Sequence, residues 1–516
     1  SDRTSDADSW SNQLGSLPDR PTIDPETGEW NPTDYFLPRY LRNLAPSSSY
    51  SLRGEFTYTE PVAKYAQVSL QYRAAYDHQE RDKRSYETGS DFSIAGLLPD
   101  PTLSNAYESN YTTQRVGPGF RYSKDRNTFV ANVYYQHSVL DGQVTQGESE
   151  EIRHSYDDFT YFMMGQLMIN RENSLRLFIN SSTSNPDVTS LQGVYDLSDA
   201  QNISHGNPTL NPSYSHRINF HYINSNVEKG RTFMWMFSLQ STSDYIGTHT
   251  VQNPSFTVDG ETYTPNFYST PVNLDGYLSL RTHLSYGFPI GFLRSNFNVM
   301  AGVSYTNTPS MYGMDDGGID PETGAISGGE RNDTENMGYD FRAVLGSNIS
   351  ENVDFTLSWN GTYNEATNSL STTNSKNRYF NHTASGDLKI VFPLGFTLTA
   401  SAAYTQYLGF TNDYNDDYLL CNAYIGKKLF KNQRGEIMFG VNDIFNQNKS
   451  FVRTTGSGWT QNATNSVIGR YFMVQFSFNL RRFGKKGSTN IKDYDGVEPA
   501  PRRRGMMGPG PGGPPP

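Results

Sequence analysis

Histidines, carboxylates, hydroxyls and thiols are the side chains that could do chemistry in this sequence. Nine histidines are scattered along it. His216 and His221 are the closest pair. On one strand their odd spacing puts them on opposite faces, so they cannot share a metal ion. Two segments are acidic, Met314-Asp-Asp-Gly-Gly-Ile-Asp320 and Asn412-Asp-Tyr-Asn-Asp-Asp417. Asp315, Asp316 and Asp320 could offer oxygen ligands to Ca²⁺, but neither segment has EF-hand spacing. Solvated acidic loops are the plainer reading, so no metal site is expected beyond those three weak candidates. There is no Walker-type phosphate loop and no G-x-S-x-G elbow. The single cysteine, Cys421, lies among apolar neighbours and reads as a small hydrophobe. The chain is therefore not expected to be an enzyme or to carry a cofactor.

Loop aromatics are the better candidates for ligand contact. Trp30, Tyr35, Tyr195, Tyr268, Tyr312, Tyr414 and Trp459 fall in or beside polar stretches between strands. Rings bury much area at little entropy cost and stack on sugars or apolar groups. Loop-to-loop packing and an interfacial aromatic girdle are the competing readings. The IDPETG sequence occurs at 23–28 and 319–324, and its Asp-Pro and Thr-Gly pairs are good turn formers.

The elements that must position these residues are strands. Side chains alternate faces with period two. In 466–481, Ile468, Phe472, Val474, Phe476, Phe478 and Leu480 share one face, and Gln475, Ser477, Asn479 and Arg481 share the other. The segments 353–363 and 395–405 repeat this apolar-out, polar-in pattern. About seventeen such strands are expected. They lie at 50–59, 65–78, 111–123, 127–140, 156–169, 174–183, 213–223, 231–246, 273–288, 293–306, 338–349, 353–364, 378–392, 396–409, 415–430, 434–446 and 466–481. Short turns, such as Lys124–Arg126, alternate with long polar stretches, such as 184–212 and 307–337. Sided loop lengths are the layout of an outer-membrane barrel, with short turns in the periplasm and long loops outside.

Composition agrees. Aromatic residues make up 14%, but hydrophobic residues only 35% and charged residues 18%. A disordered chain would lack the aromatics. No run of about 18 apolar residues is present, so no transmembrane helix is expected. The net charge of −11 speaks against nucleic acid as a partner.

Three regions follow: 1–49 as an extracellular loop, 50–483 as a transmembrane barrel section, and 484–516 as a flexible Pro/Gly-rich periplasmic tail. An odd strand count does not match the even-numbered bacterial barrels. The expectation is that an odd number of strands lies upstream, in a larger barrel.

Several motifs resemble the β-barrel of Bacteroidota TonB-dependent receptors, in the outer membrane protein β-barrel family. YTEPVAKYAQVSLQYRAAY at 58–76 is similar to its strand–turn–strand. The loop closing with Gly206, Asn207, Pro208, Leu210 and Pro212 is the most specific match. PVNLDGYLSLRTHLSYGFPI at 271–290, GVNDIFNQNKS at 440–450 and the closing strand at 468–484 also fit. The resemblance implies a barrel of roughly 22 strands around a plug. It also implies location in the outer-membrane lipid, with ligand captured by extracellular loops. Import would be powered through the TonB complex, by way of an N-terminal part not in these residues. A surface lipoprotein partner is compatible with it. Glycan, peptide, siderophore and other metal complexes all remain open as ligands. The alternative is a scaffold barrel that docks other envelope proteins.

Overall fold

The structure is a computed structural model. It describes residues 2–5, 8–13, 39–89, 91–99, 104–144, 151–191, 193, 195–196, 202–258, 261–314, 318–320, 323–347, 350, 352–370, 377–409, 415–430, 434–448, 450–456, 459–465 and 467–478. Trp30, Tyr35, Tyr414, Asp315, Asp316 and the tail 484–516 lie outside the described residues.

All seventeen expected strands have a counterpart. The first nine are β1 (Ser47–Ala63), β2 (Ala66–Thr88), β3 (Asn105–Lys124), β4 (Asn127–Val144), β5 (Glu151–Met168), β6 (Asn173–Ser184), β7 (Ser213–Asn226), β8 (Arg231–Ser243) and β9 (Tyr277–Ile290). Next come β10 (Ser295–Met314), β11 (Glu330–Ser347) and β12 (Val353–Asn368). The last five are β13 (Asn377–Val391), β14 (Phe396–Gly409), β15 (Asn415–Leu429), β16 (Gly435–Asn442) and β17 (Tyr471–Phe478).

The chain divides into two compact units. One holds residues 1–288, 300–341 and 363–378, and the other holds 289–299, 342–362 and 379–516. In the first unit, β1 to β9 form one continuous antiparallel ladder in sequence order. In the second, β13 to β17 do the same.

Alternation decides which face each ladder exposes. Leu52, Phe56 and Tyr58 of β1 are exposed, as are Leu70 and Tyr72 of β2 and Phe159 and Leu167 of β5. In β17, Phe472, Val474 and Phe476 are 60–70% exposed. A soluble sheet does not present apolar rows on this scale, whereas a hydrocarbon-facing one must. Aromatic pairs cross neighbouring strands on that face, such as Phe220–Trp235 at 4.9 Å and Tyr135–Phe159 at 5.6 Å. Among the described residues no helix is long and apolar enough to cross a membrane.

Strand ends differ from the expected ones for two reasons. Several strands run further than apolar alternation reaches: β2 continues to Thr88, β3 begins at Asn105 and β10 continues to Met314. Their ends are polar, but the backbone ladder persists without the apolar pattern. Elsewhere a left-handed residue cuts a strand. The strand expected over 231–246 stops at Ser243, because Asp244 has φ 50°. The strand expected over 273–288 starts at Tyr277, behind Gly276 with φ 106°. Within 1–49 the described residues include strands Asp2–Ser5, Asp8–Gln13 and Arg39–Leu44. The first pairs with β1 and the third with the end of β2.

Candidate functional site

Beyond Asp244 the first unit continues into the region between long connections. Strand Tyr245–Gln252 pairs with Phe267–Leu274, and Asn202–His205 joins parallel to Phe267–Ser269. The junction is held by side chains. Asp244 N–H donates to Asp275 Oδ1 at 3.0 Å, and Asn273 Nδ2 donates to the carbonyls of Asp244 and Asn211 at 2.9 Å each. Tyr245 stacks on Tyr277 at 4.7 Å. Arg331 donates to the Asp275 carbonyl and forks onto Asp333, which holds the Asp333 carboxyl below the usual carboxylate range.

The Gly-Asn-Pro-x-Leu-x-Pro segment docks on this wall. Asn207 Oδ1 accepts from the N–H and the hydroxyl of Thr209, an Asx turn. Its Nδ2 donates to the Pro271 carbonyl at 3.0 Å. Leu210 is buried with Tyr107, Leu140, Ile152, Val188 and Leu191. Val188–Leu191 is a single helical turn whose start is capped by Asp187, which accepts from Ser190 N–H at 2.7 Å.

The second IDPETG segment forms the facing loop. Thr323 Oγ1 donates to Asp320 Oδ2 and Gly324 N–H donates to the Asp320 carbonyl, both at 2.8 Å. Gly324 has φ 62°, and Ile319 bridges Ile326 across the turn. Asp320 therefore spends its carboxylate on the turn, which explains the sequence by local geometry. Tyr268 hydroxyl reaches this loop at the Gly324 carbonyl.

Between these walls lies a cavity of about 590 Å³. His205 and Gly206 to Thr209 form one side, and His249 with Thr270 and Val272 form the base. Thr323, Ala325 and Ile326 close the third side. No Asp, Glu, Lys or Arg is in the lining among the described residues. His249 is 6% exposed, and its Nε2 lies against the Gly329 backbone, where an added Cβ would stand 2.6 Å from it. Burial lowers the His249 pKa, and the Gly328 backbone offsets part of this. His205 Nδ1 lies 2.6 Å from the Gly206 carbonyl and donates to it. Among the described lining residues, His205, Thr209, Thr270 and Thr323 supply hydrogen-bonding groups.

The aromatic candidates divide. Tyr195 and Tyr268 come together with ring centroids 6.2 Å apart, beside Phe256 and Tyr263. Tyr268 is 0% exposed, so its ring braces the cavity wall instead of presenting a contact surface. Burial raises both phenol pKa values. Tyr312 donates to Gln252 Oε1 at 2.6 Å. Trp459 lies in a hairpin of its own, Ser450–Gly456 with Trp459–Asn465. His205 and His249 were missed by sequence reasoning. Only strand pairing brings them to one cavity; the one available signal was that His205 directly precedes the Gly-Asn-Pro motif.

Among solved structures, the chain is similar to the ferric yersiniabactin uptake receptor of Yersinia pestis, at 11% identity and TM-score 0.39. That match covers 93% of this chain and 67% of the receptor. A copper transporter matches at 10% identity and TM-score 0.44, covering 93% and 72%. The ferric enterobactin receptor of Pseudomonas aeruginosa matches at 9% identity and TM-score 0.36, covering 92% and 81%. No curated protein matches the sequence. The model of the outer membrane protein beta-barrel family matches residues 26–364 and 316–479. With its alternating ladders and its exposed apolar face, the chain belongs to that outer-membrane β-barrel family.

Proposed function

We propose that this chain is the barrel portion of a TonB-dependent transporter of the outer membrane, as its resemblance to Bacteroidota receptors suggests. The observation that carries the reading is a cavity built from long-loop residues, mounted on a ladder whose face suits hydrocarbon. The long loops face the medium and capture ligand, and the tail 484–516 lies in the periplasm. Trp30, Tyr312, Tyr414 and Trp459 are candidate loop contacts, while Tyr195 and Tyr268 brace the cavity wall. Coupling to TonB uses a segment upstream of these residues. A surface lipoprotein is a compatible partner.

The test uses the native protein purified from outer membranes. Its intact mass and N-terminal peptides are mapped, and its binding to the periplasmic domain of TonB is measured. An upstream plug with saturable TonB binding supports transport. A chain that binds no TonB domain sinks this reading and favours a scaffold barrel.

A further inference from the structure

At its short turns, the outward face of the first ladder ends in a cluster of cations and rings. Lys64 and Tyr65 form the turn between β1 and β2. Lys124 closes β3 beside them, where Ser123 N–H donates to the Tyr65 carbonyl at 2.9 Å. Both ammonium groups lie on the Tyr65 ring, Lys64 Nζ 5.3 Å and Lys124 Nζ 5.6 Å from its centroid. Tyr122 meets that ring edge-on at 6.5 Å and leads into the exposed apolar row through Phe120 and Phe129. Two like charges brought to one ring repel each other. Among the described residues neither has a carboxylate partner. Glu60, on the same face of β1, accepts instead from the Tyr58 hydroxyl at 2.8 Å. An aromatic girdle accounts for the rings, but not for paired cations without a counter-ion.

The short turns of the second ladder show the same chemistry in a weaker form. Lys427 Nζ lies 4.0 Å from the centroid of Phe396, but it is a single cation and already donates to the Leu394 carbonyl. Leu394 and Phe430 hold φ of 66° and 69°, where bulky side chains are rare, yet they are 85% and 60% exposed. A turn in water gains nothing from such residues, whereas a turn against acyl chains buries them. The long-loop end of the outward face differs. Two residues from the exposed Phe159, Asp157 accepts from the Tyr135 hydroxyl at 2.6 Å, and Glu335 accepts from Tyr305 at 3.0 Å. Carboxylates therefore stand where an anionic headgroup would approach from that side. We propose that Lys64, Lys124 and Tyr65 bind the phosphate of an anionic phospholipid in the periplasmic leaflet, with its acyl chains along Tyr122, Phe120 and Phe129. The lysine stems lie on apolar surface while their ammonium groups reach the headgroup. The proposal rests on the reading of the ladder as membrane-spanning with its short turns in the periplasm, and not on coupling to TonB.

The experiment is native mass spectrometry of the full protein, purified from outer membranes and delipidated in detergent. It is titrated with phosphatidylglycerol and with phosphatidylcholine of the same acyl chains. Phosphatidylglycerol should bind about fivefold more tightly. Lys64→Gln combined with Lys124→Gln should lose most of that preference while the barrel keeps its heat-modifiable mobility. Arg153→Gln removes a cation near the long-loop end of β5 and should leave the preference intact. Equal binding of the two lipids, a preference that survives the double variant, or a matching loss in Arg153→Gln would each overturn the proposal. So would displacement of the lipid by an equal concentration of glycerol 3-phosphate, which would make this a site for soluble phosphate. A protein that binds no TonB domain but keeps the lysine-dependent preference would sink the transporter reading alone.

Discussion

The hydroxyl of Tyr268 donates a 2.6 Å hydrogen bond to the carbonyl of Gly324, 56 residues further along the chain. The ring is fully buried, so this bond ties the Ile319–Ile326 loop to the wall beneath it. Tyr268→Phe keeps the ring and removes the bond, leaving the carbonyl unpaired. The expected local loss is about 1–3 kcal/mol. Hydrogen exchange should speed up in peptides spanning 318–327 and stay unchanged in β1 to β6. Equal protection in the variant would show that the bond does not latch the loop.

Gly324 is placed by conformation and by space. A Cβ there would stand 2.2 Å from Cγ of His205, and φ is 62°. Gly324→Ala should cost about 1 kcal/mol for the backbone and a further ~1–3 kcal/mol for overpacking. Gly328→Ala is the control, because φ there is 91° but no atom lies within 4 Å of its Cβ position. The first variant should be more sensitive to limited proteolysis of the loop than the second. Matching sensitivity would assign the whole effect to the backbone.

His249 makes the cavity floor sensitive to acid. Burial puts its pKa below the ordinary histidine value. The imidazole therefore takes up a proton when the floor opens. Its contribution to the closed arrangement is complete above the ordinary value of about 6.5 and falls as pH drops below it. Protection of peptides around 249 and 323–329, corrected for intrinsic exchange, should fall between about pH 8 and about pH 5. His249→Phe should remove most of that dependence, which separates it from the neighbouring His205. Protection that rises on acidification would contradict the argument.

Asp443 closes the turn after β16. It is 2% exposed with φ 52°, and its carboxylate accepts from the N–H groups of Gln447 and Asn448 at 2.9 and 3.0 Å. Its own N–H donates to Asn422 Oδ1 at 2.9 Å. Asp443→Ala leaves two backbone donors unpaired and should destabilise the refolded barrel by about 2–3 kcal/mol. Asp443→Asn keeps one acceptor and should lose less. Urea titration in liposomes compares them, and equal stability of Ala and wild type would dismiss the cap.

Much of the fold was legible because alternation is a local property. Phe472, Val474 and Phe476 announce β17 and its exposed face without reference to any other strand. Its limits were set where alternation stops: at Asp244 and Gly276 the backbone turns left-handed, and in β2 the ladder outlasts the apolar pattern. Turn chemistry was equally local, since the Asp320 and Thr323 side chains satisfy each other within four residues. The Gly-Asn-Pro motif was visible as a pattern, but its docking through Asn207 on Pro271 was not.

The sequence by itself determined an all-β chain with period-two strands, sided connections and family motifs, because each depends on neighbours a few residues apart. The tertiary structure alone decided that Tyr268 is a brace and that His205 and His249 line one cavity. Those relationships join residues tens of positions apart through strand pairing, and no local spacing encodes them.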